Sequence, residues 1–401
     1  MKNKKPLLLF FAVMVLFNMA ASFAHPVTPT LIVERGLDSS MFGVALAAMM
    51  TMNFLFAPFW GKLCSYIPTK RIMLICGIGY AVGQSIFGAA QSELMVIGGR
   101  MFAGIFTGGA FTSFSNYVVN TTTDPRKRGQ NLTTLITIQN VCGAVGYFVG
   151  GMLGLISVEA AFIAQVICLA TAGVIFFFIC EDDTPYKHKP EQPLTIKEAN
   201  PFSAFAAARK FMTPMLALIF IIVAIAAIGQ NSYEQCFNYY IKDQFGMSSA
   251  YNGTFKAVIA ALTLALNATV SVYLQRRTDI NKTFLYVTLV CTGLISTILI
   301  FNNQILFVAI YIIYSAINTV RLPLLQSMVA NRATPENSNS MMGFYQSMNS
   351  LGGIFGALFA GLIYKQGPKL PFILAFVAFS IASVVGFVYV KKYKSENKNA
   401  V

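Results

Sequence analysis

Val158–Cys180 reads VEAAFIAQVICLATAGVIFFFIC, with one acidic residue near its start and neither a basic residue nor a proline. A bilayer core about 30 Å thick takes roughly 20 residues of helix at about 1.5 Å each, and it offers the backbone no hydrogen-bond partner but itself. The stretch is therefore read as a closed membrane-crossing helix. The same reading repeats along the chain. It predicts helices over 6–33, 40–62, 71–91, 94–118, 130–154 and 158–180, then over 213–241, 250–274, 282–302, 304–329, 340–364 and 370–390. Composition agrees, with 56% hydrophobic, 13% aromatic and only 11% charged residues; a soluble core of this length could not hide that much apolar surface. The one long connection, 181–210, carries Asp182, Asp183, Pro185, Pro190, Pro193 and mixed charges, the pattern of a hinge rather than a packed domain. The expected fold is all-α and integral to the membrane. Its parts are a six-helix bundle over 1–180, a cytoplasmic linker over 181–210, a second six-helix bundle over 211–393 and a cytoplasmic tail over 394–401.

Lysine and arginine set the orientation, because short loops rich in them stay on the inner side. With the N-terminus inside, 22 of the 29 basic residues fall there. They include Lys2, Lys4 and Lys5, the run Arg126, Lys127 and Arg128, Lys187, Lys189 and Lys197 in the linker, and Lys391, Lys392, Lys394 and Lys398 at the end. Arg35, Lys242, Lys256, Lys365 and Lys369 fall at the outer side, and Arg100 and Arg321 fall within helices. Both termini are expected in the cytoplasm, in a multi-pass protein of the cell (inner) membrane. The net charge of +14 is then an inner-leaflet belt and implies no nucleic-acid partner. Lys2 to Lys5, the following apolar run and Ser22-Phe23-Ala24 imitate a cleavable secretory signal. Removing residues 1–24 would leave eleven spans and invert the charge bias of every later loop, so the segment is read as a retained first helix. The seven cysteines stand singly, without a Cys-x-x-Cys pair or a histidine cluster, and read as apolar fillers rather than as disulfides or metal ligands.

The two halves resemble each other. Gly143, Gly146 and Gly150 lie three and four apart on the fifth helix, and Gly353, Gly356 and Ala360 repeat that spacing 210 residues later on the eleventh. Such spacing puts each trio on one helix face, where the missing side chains let helices pack closely or slide. Duplicated halves with a site at their interface are a usual transporter design.

Four stretches resemble the major facilitator superfamily, in particular its twelve-helix drug:proton antiporters, and the resemblance covers nearly the whole chain. Gly61-Lys62-Leu63-Cys64-Ser65-Tyr66-Ile67-Pro68-Thr69-Lys70 stands where the family has Gly-x-Leu-Ala-Asp-Arg-x-Gly-Arg-Lys, keeping Gly61, Leu63 and Lys70 and placing Ser65 at the aspartate. Arg100-Met101-Phe102-Ala103-Gly104 keeps the arginine and the glycine of Arg-x-x-Gln-Gly. Gly146-Tyr147-Phe148-Val149-Gly150-Gly151 follows Gly-Pro-x-x-Gly-Gly with a tyrosine for the proline. Ser232-Tyr233-Glu234 before Tyr239 and Tyr240 is similar to the glutamate-plus-aromatics pattern of Gram-positive multidrug exporters. The resemblance implies two pseudo-symmetric six-helix bundles, alternating access, and gating or packing at Gly61, Lys70, Gly104, Gly146, Gly150, Gly353 and Gly356.

Charge within the spans marks the candidate site. Glu234 is the one acidic residue that the predicted spans place inside the membrane, which makes it the leading carrier of a coupling proton; its bland reading is an outer-end residue paired with Lys242. Arg100 in mid-helix costs roughly 2.5 to 3.5 kcal/mol, against about 2.4 to 4.8 kcal/mol returned by the eight Leu, Val, Ile and Phe residues between Leu94 and Phe114, so it needs a partner or water. Arg321 follows Asn318, which stands at a family aspartate and cannot titrate. Asn18, Gln139, Asn140, Tyr239, Asn318, Gln346 and Asn349 are candidates to line a polar cavity, or else to bond across helices.

These residues lead to proton-driven export of a small lipophilic molecule, with protons, substrate and the lipid bilayer as partners and a monomer as the economical assembly. The chain carries no nucleotide-binding Gly-x-x-x-x-Gly-Lys-Ser/Thr loop and no paired carboxylates or metal constellation of an enzyme, so neither a cofactor nor catalysis is expected. Two other readings stay open. One is an importer or exchanger of an anionic metabolite held by Arg100 and Arg321; the other is a membrane sensor that transports nothing.

Overall fold

The computed structural model describes residues 5–37, 41–187, 201–247, 249–300, 303–364 and 366–399. Lys2, Lys4, Lys189, Lys197, Lys365, Pro190 and Pro193 lie outside them. The described residues are helical almost throughout. In chain order they form α1 (Lys5–Ala21), α2 (Thr28–Glu34), α3 (Met41–Tyr66), α4 (Thr69–Gly88), α5 (Glu93–Thr121), α6 (Pro125–Gly154), α7 (Val158–Ile179) and α8 (Pro201–Ala208). The second half forms α9 (Pro214–Asp243), α10 (Ser249–Leu266), a π turn (Asn267–Ser271), α11 (Val272–Arg277), α12 (Ile280–Ile300), α13 (Gln304–Arg332), α14 (Ser338–Tyr364) and α15 (Leu370–Asn399). Among the described residues, 11 helices are long and apolar enough to cross a membrane, and Leu7–Ala21 adds a shorter apolar helix. The chain is thus the all-α, multi-pass membrane protein that its hydropathy pattern predicts.

Helix starts follow capping chemistry. Ser92, Asp124, Ser157 and Thr213 accept hydrogen bonds from the first free backbone N–H groups of α5, α6, α7 and α9, and Pro125 and Pro214 occupy first-turn positions where no N–H is missed. Three helices depart from the expected spans. The first breaks after Ala21 and resumes at Thr28, because Pro26 lacks an N–H and disfavours helix at His25; Thr28 Oγ1 donates back to Ala24 O at 2.7 Å. The eighth contains the π turn. The last runs on to Asn399, where Glu396 meets Arg332 Nη2 at 3.3 Å.

The chain divides into two compact units. One comprises Met1–Arg128, Ile138–Phe211 and Ala333–Ser347, the other Gly129–Thr137, Met212–Arg332 and Met348–Val401. In the first, α6 meets α1 through Gly146 and Gly150, where a Cβ would run into the carbonyls of Met19 and Phe23. In the second, α14 meets α9 in the same manner through Gly352 and Gly356, whose added Cβ atoms would reach the carbonyls of Ala224 and Ile228. Gly353 is buried beside this pair. The small-residue contact therefore recurs once in each unit, between corresponding helices.

Candidate functional site

Glu234 lies toward the C-terminal end of α9, half-buried, beside an aromatic core of Tyr233, Phe237, Tyr240, Phe307, Tyr311 and Phe372. One helical turn earlier, Gln230 Nε2 donates to Glu234 Oε1 at 3.0 Å. The other end of the same amide, Gln230 Oε1, accepts from Arg321 Nη2 on α13 at 3.1 Å. Arg321 is 1% exposed. Its Nε donates to Asn318 Oδ1 at 2.8 Å, and its guanidinium stands 5.3 Å from the Phe379 ring centroid. Glu234, Gln230, Arg321 and Asn318 thus form one hydrogen-bonded line across two helices, with Lys256 of α10 close enough to act on the Glu234 charge.

The amide in the middle has a direction. Its donor end faces the carboxylate and its acceptor end faces the guanidinium, so the line is aligned with a negative Glu234 and a positive Arg321. Protonating Glu234 removes the charge that holds the donor end and weakens the hold of Gln230 on Arg321. Two charges that would each be expensive in hydrocarbon are in this way made mutually dependent.

Arg100 of α5 has different surroundings. It is 4% exposed, Nη1 reaches Met49 Sδ of α3 at 3.6 Å, and the guanidinium lies 4.0 Å from the centroid of the Phe87 ring on α4. Nε has no hydrogen-bond partner among the described residues. Gly104 lets the two helices approach, since an added Cβ would sit 2.9 Å from Met52 Cβ of α3.

Gly61 and Lys70, two of the expected gating residues, lie in the first unit. Gly61 of α3 packs on the start of α14, where an added Cβ would lie 2.6 Å from Asn339 O and 2.8 Å from Gly343 Cα. Asn339 Nδ2 donates to Ser65 Oγ at 3.4 Å, and Asn116 Nδ2 donates to Asn339 O at 3.3 Å, so neutral groups stand around the position where the related motif has an aspartate. Lys70 lies 5.7 Å from the Phe177 ring centroid. A buried acid at this end of the unit is Asp183. It accepts from Thr69 N at 2.9 Å, from Thr69 Oγ1, from Asn120 Nδ2 at 2.8 Å, and pairs with Lys187 Nζ at 3.0 Å. Lys187 Nζ also donates to Cys64 O at 2.7 Å and Ile67 O at 2.8 Å. Asp183 therefore fills the start of α4 as Lys187 fills the end of α3, each charge complementing the helix end that it meets. Sequence reasoning placed both in a linker and missed the site. The signal available was an Asp-x-x-x-Lys pair directly after a span, one helical turn apart.

A second missed feature lies on α10, the π turn and α11. Thr263, Asn267, Ser271 and Gln275 are spaced by four and are all buried, between 0% and 2% exposed. In a regular helix such a row drifts by about 40° at each step. The π turn over Asn267–Ser271 holds more residues per turn and counters the drift, keeping the row on one face. The row faces other polar groups: Ser271 Oγ lies 3.3 Å from Thr133 Oγ1, and Arg276 Nη2 donates to Gln130 Oε1 at 2.7 Å.

The remaining cavity candidates are not joined to the Glu234 line by a described hydrogen bond. Asn18 is buried and bonds its own helix at Met14 O, 2.8 Å away. Gln139, Gln346 and Asn349 are half-buried and Asn140 is exposed. The side chains of Tyr239 and Lys242 lie outside the described residues. The seven cysteines are free thiols.

A family model described as Major Facilitator Superfamily matches residues 9–301 and 277–401. Tetracycline resistance protein, class C, of Escherichia coli is 25% identical over 368 residues, covering 91% of each chain. Multidrug resistance protein 2 of Bacillus subtilis is 22% identical over 388 residues, 94% of this chain and 92% of its own. Among solved structures, the human organic anion transporter MFSD10 (TETRAN) superposes with a TM-score of 0.82 at 17% identity, over 96% of this chain and 100% of that one.

Proposed function

The chain belongs to the Major Facilitator Superfamily, and within that family of transporters we propose that it is a proton-coupled exporter of small lipophilic compounds working by alternating access. The observation that carries the reading is the line from Glu234 through Gln230 to Arg321. It gives one exchangeable proton a direct mechanical consequence, which is what coupling requires. The tetracycline and multidrug resistance proteins named above support the substrate class.

In this scheme a proton from outside neutralises Glu234. The donor end of Gln230 loses its anion, Arg321 is freed to turn toward other acceptors, and the lipophilic guest leaves outward. Exposure of Glu234 to the inner side discharges the proton, and the line re-forms. The basic belt supports cytoplasmic termini in the cell membrane, and a monomer is the economical working unit.

One observation favours a second reading. Arg100 is a buried cation with no carboxylate among its described contacts, and this suits an anionic substrate. The test measures efflux of a lipophilic fluorescent cation and of a fluorescent organic anion from energised cells, with and without a protonophore. Export of the cation that the protonophore stops and that Glu234→Gln abolishes supports proton-coupled export. Anion transport that survives Glu234→Gln and fails in Arg100→Gln replaces it with the anion reading.

A further inference from the structure

We propose that Arg100, Gln84 and Tyr80 form a binding site for one small monovalent inorganic anion, of chloride size, inside the first unit. The site lies between α3, α4 and α5, apart from the Glu234 line and independent of it.

The first argument is charge. Arg100 is 4% exposed, and its described contacts are a thioether sulfur and an aromatic face, neither of which neutralises a cation. The titratable group near enough to act on it is the Tyr80 phenol. A buried guanidinium without a counter-ion costs several kcal/mol, and an arginine, unlike a lysine, does not escape by giving up its proton.

The second argument is unspent hydrogen bonding at the same place. Among the described residues Arg100 Nε has no partner, and the Gln84 amide, fully buried on α4, meets the Tyr80 hydroxyl and no other side chain. Tyr80 lies one turn before Gln84 and is 2% exposed; its hydroxyl donates a long bond, 3.4 Å, to Ala21 O. The Gln84 amide and the Arg100 guanidinium both act on the Tyr80 hydroxyl, so the three groups are neighbours, with Met49 and Phe87 against the guanidinium. Buried polar groups in native proteins are seldom left unpaired, and a water would satisfy the donors but leave the charge.

The third argument is fixed spacing. Gly83 and Ala103 hold α4 against α5, with an added Cβ at Gly83 only 2.5 Å from Ala103 N, and an added Cβ at Gly99 would lie 2.8 Å from Phe87 N. The helices therefore cannot separate without losing this contact. A dry site with one positive charge selects a weakly hydrated monovalent ion, since a dianion costs more to desolvate and leaves excess charge.

The test uses the purified full-length protein in detergent. Binding of radiolabelled chloride is measured against a gluconate background of constant ionic strength, and the thermal midpoint is followed in the same salts. Saturable binding of about one chloride per chain is expected, with affinity at least tenfold lower in Arg100→Gln, lowered also in the neutral Gln84→Leu, and unchanged in Glu234→Gln. The chloride-specific rise in thermal midpoint should vanish with it. Benzoate separates the two sources of such an anion. Displacement of chloride by benzoate means that the subsite also takes the acid group of a substrate, and no displacement means an inorganic ion alone; both keep the site. Absence of saturable chloride binding in the unmodified protein, or binding in Arg100→Gln and Gln84→Leu equal to that of the unmodified protein, overturns it. Because no proton gradient enters the measurement, that outcome leaves the role of Glu234 to be judged separately.

Discussion

Replacing Asp183 by asparagine keeps the shape of the side chain and removes its charge, which isolates what the buried pair with Lys187 contributes. The two side chains are 0% and 2% exposed, so solvent does little to screen them. Breaking a buried pair by removing one charge costs about 3–5 kcal/mol. Lys187 keeps Cys64 O and Ile67 O as acceptors, which favours the lower end of that range. Against this, the new NH₂ must face either Thr69 N and Lys187 or Thr69 Oγ1 and Asn120 Nδ2, and each choice sets donor against donor, adding about 1 kcal/mol. The expected loss is about 3–4 kcal/mol. Removing both charges, in Asp183→Asn with Lys187→Met, should cost less than the sum of the single changes by about 2 kcal/mol. The assay is reversible unfolding in detergent followed through Trp60, the sole tryptophan, whose indole N–H donates to Ile105 O at 2.8 Å. Single losses below about 1 kcal/mol, or strict additivity in the double variant, would refute the reasoning and make the contact a surface ornament.

Gly146→Leu should lower the yield of folded protein sharply, as should Gly352→Leu, because each side chain must enter the space held by a neighbouring carbonyl; size-exclusion profiles of the two variants read this directly. Gln230→Leu should reduce protonophore-sensitive efflux at least tenfold at equal expression, since Glu234 and Arg321 lose their common partner, and a transport rate unchanged from the parent would remove Gln230 from the coupling line. Hydrogen bonding from Thr184 holds the exposed Asp182 carboxyl below its ordinary range. Its folded-state pKa is then lower than in the unfolded chain, at about 3.9, so its contribution is present above that value and is lost as pH falls through the depressed one. The advantage of the parent over Asp182→Asn in unfolding midpoint should therefore shrink from about pH 5 downward.

The membrane fold and its intramembrane charges were legible because hydropathy needs only length and composition. Glu234 and Arg321 stood out as charges in apolar runs, yet nothing in the sequence says that Gln230 joins them, because the bond from Arg321 crosses 91 residues and depends on how α9 meets α13. Asp183 falls among the linker charges because the predicted span ends at Cys180, and burial beyond a span leaves no apolar signal. The break before Thr28 was foreshadowed by Pro26 but hidden by unbroken hydropathy on both sides. On α14 the repeat spacing pointed to Gly353, whereas Gly352 and Gly356 meet α9; a run of two glycines gives no phase until the helix has a neighbour.

A transmembrane helix with one residue too many leaves a trace that alignments can read. The π turn at Asn267–Ser271 absorbs an extra residue without moving the ends of its span, so relatives whose corresponding helix is regular should align to it with a single-residue gap. Such a gap inside a membrane span is easily dismissed as misalignment. Where it recurs opposite Asn267 it dates the insertion, and it separates descendants that kept the polar row in phase from those that never had it.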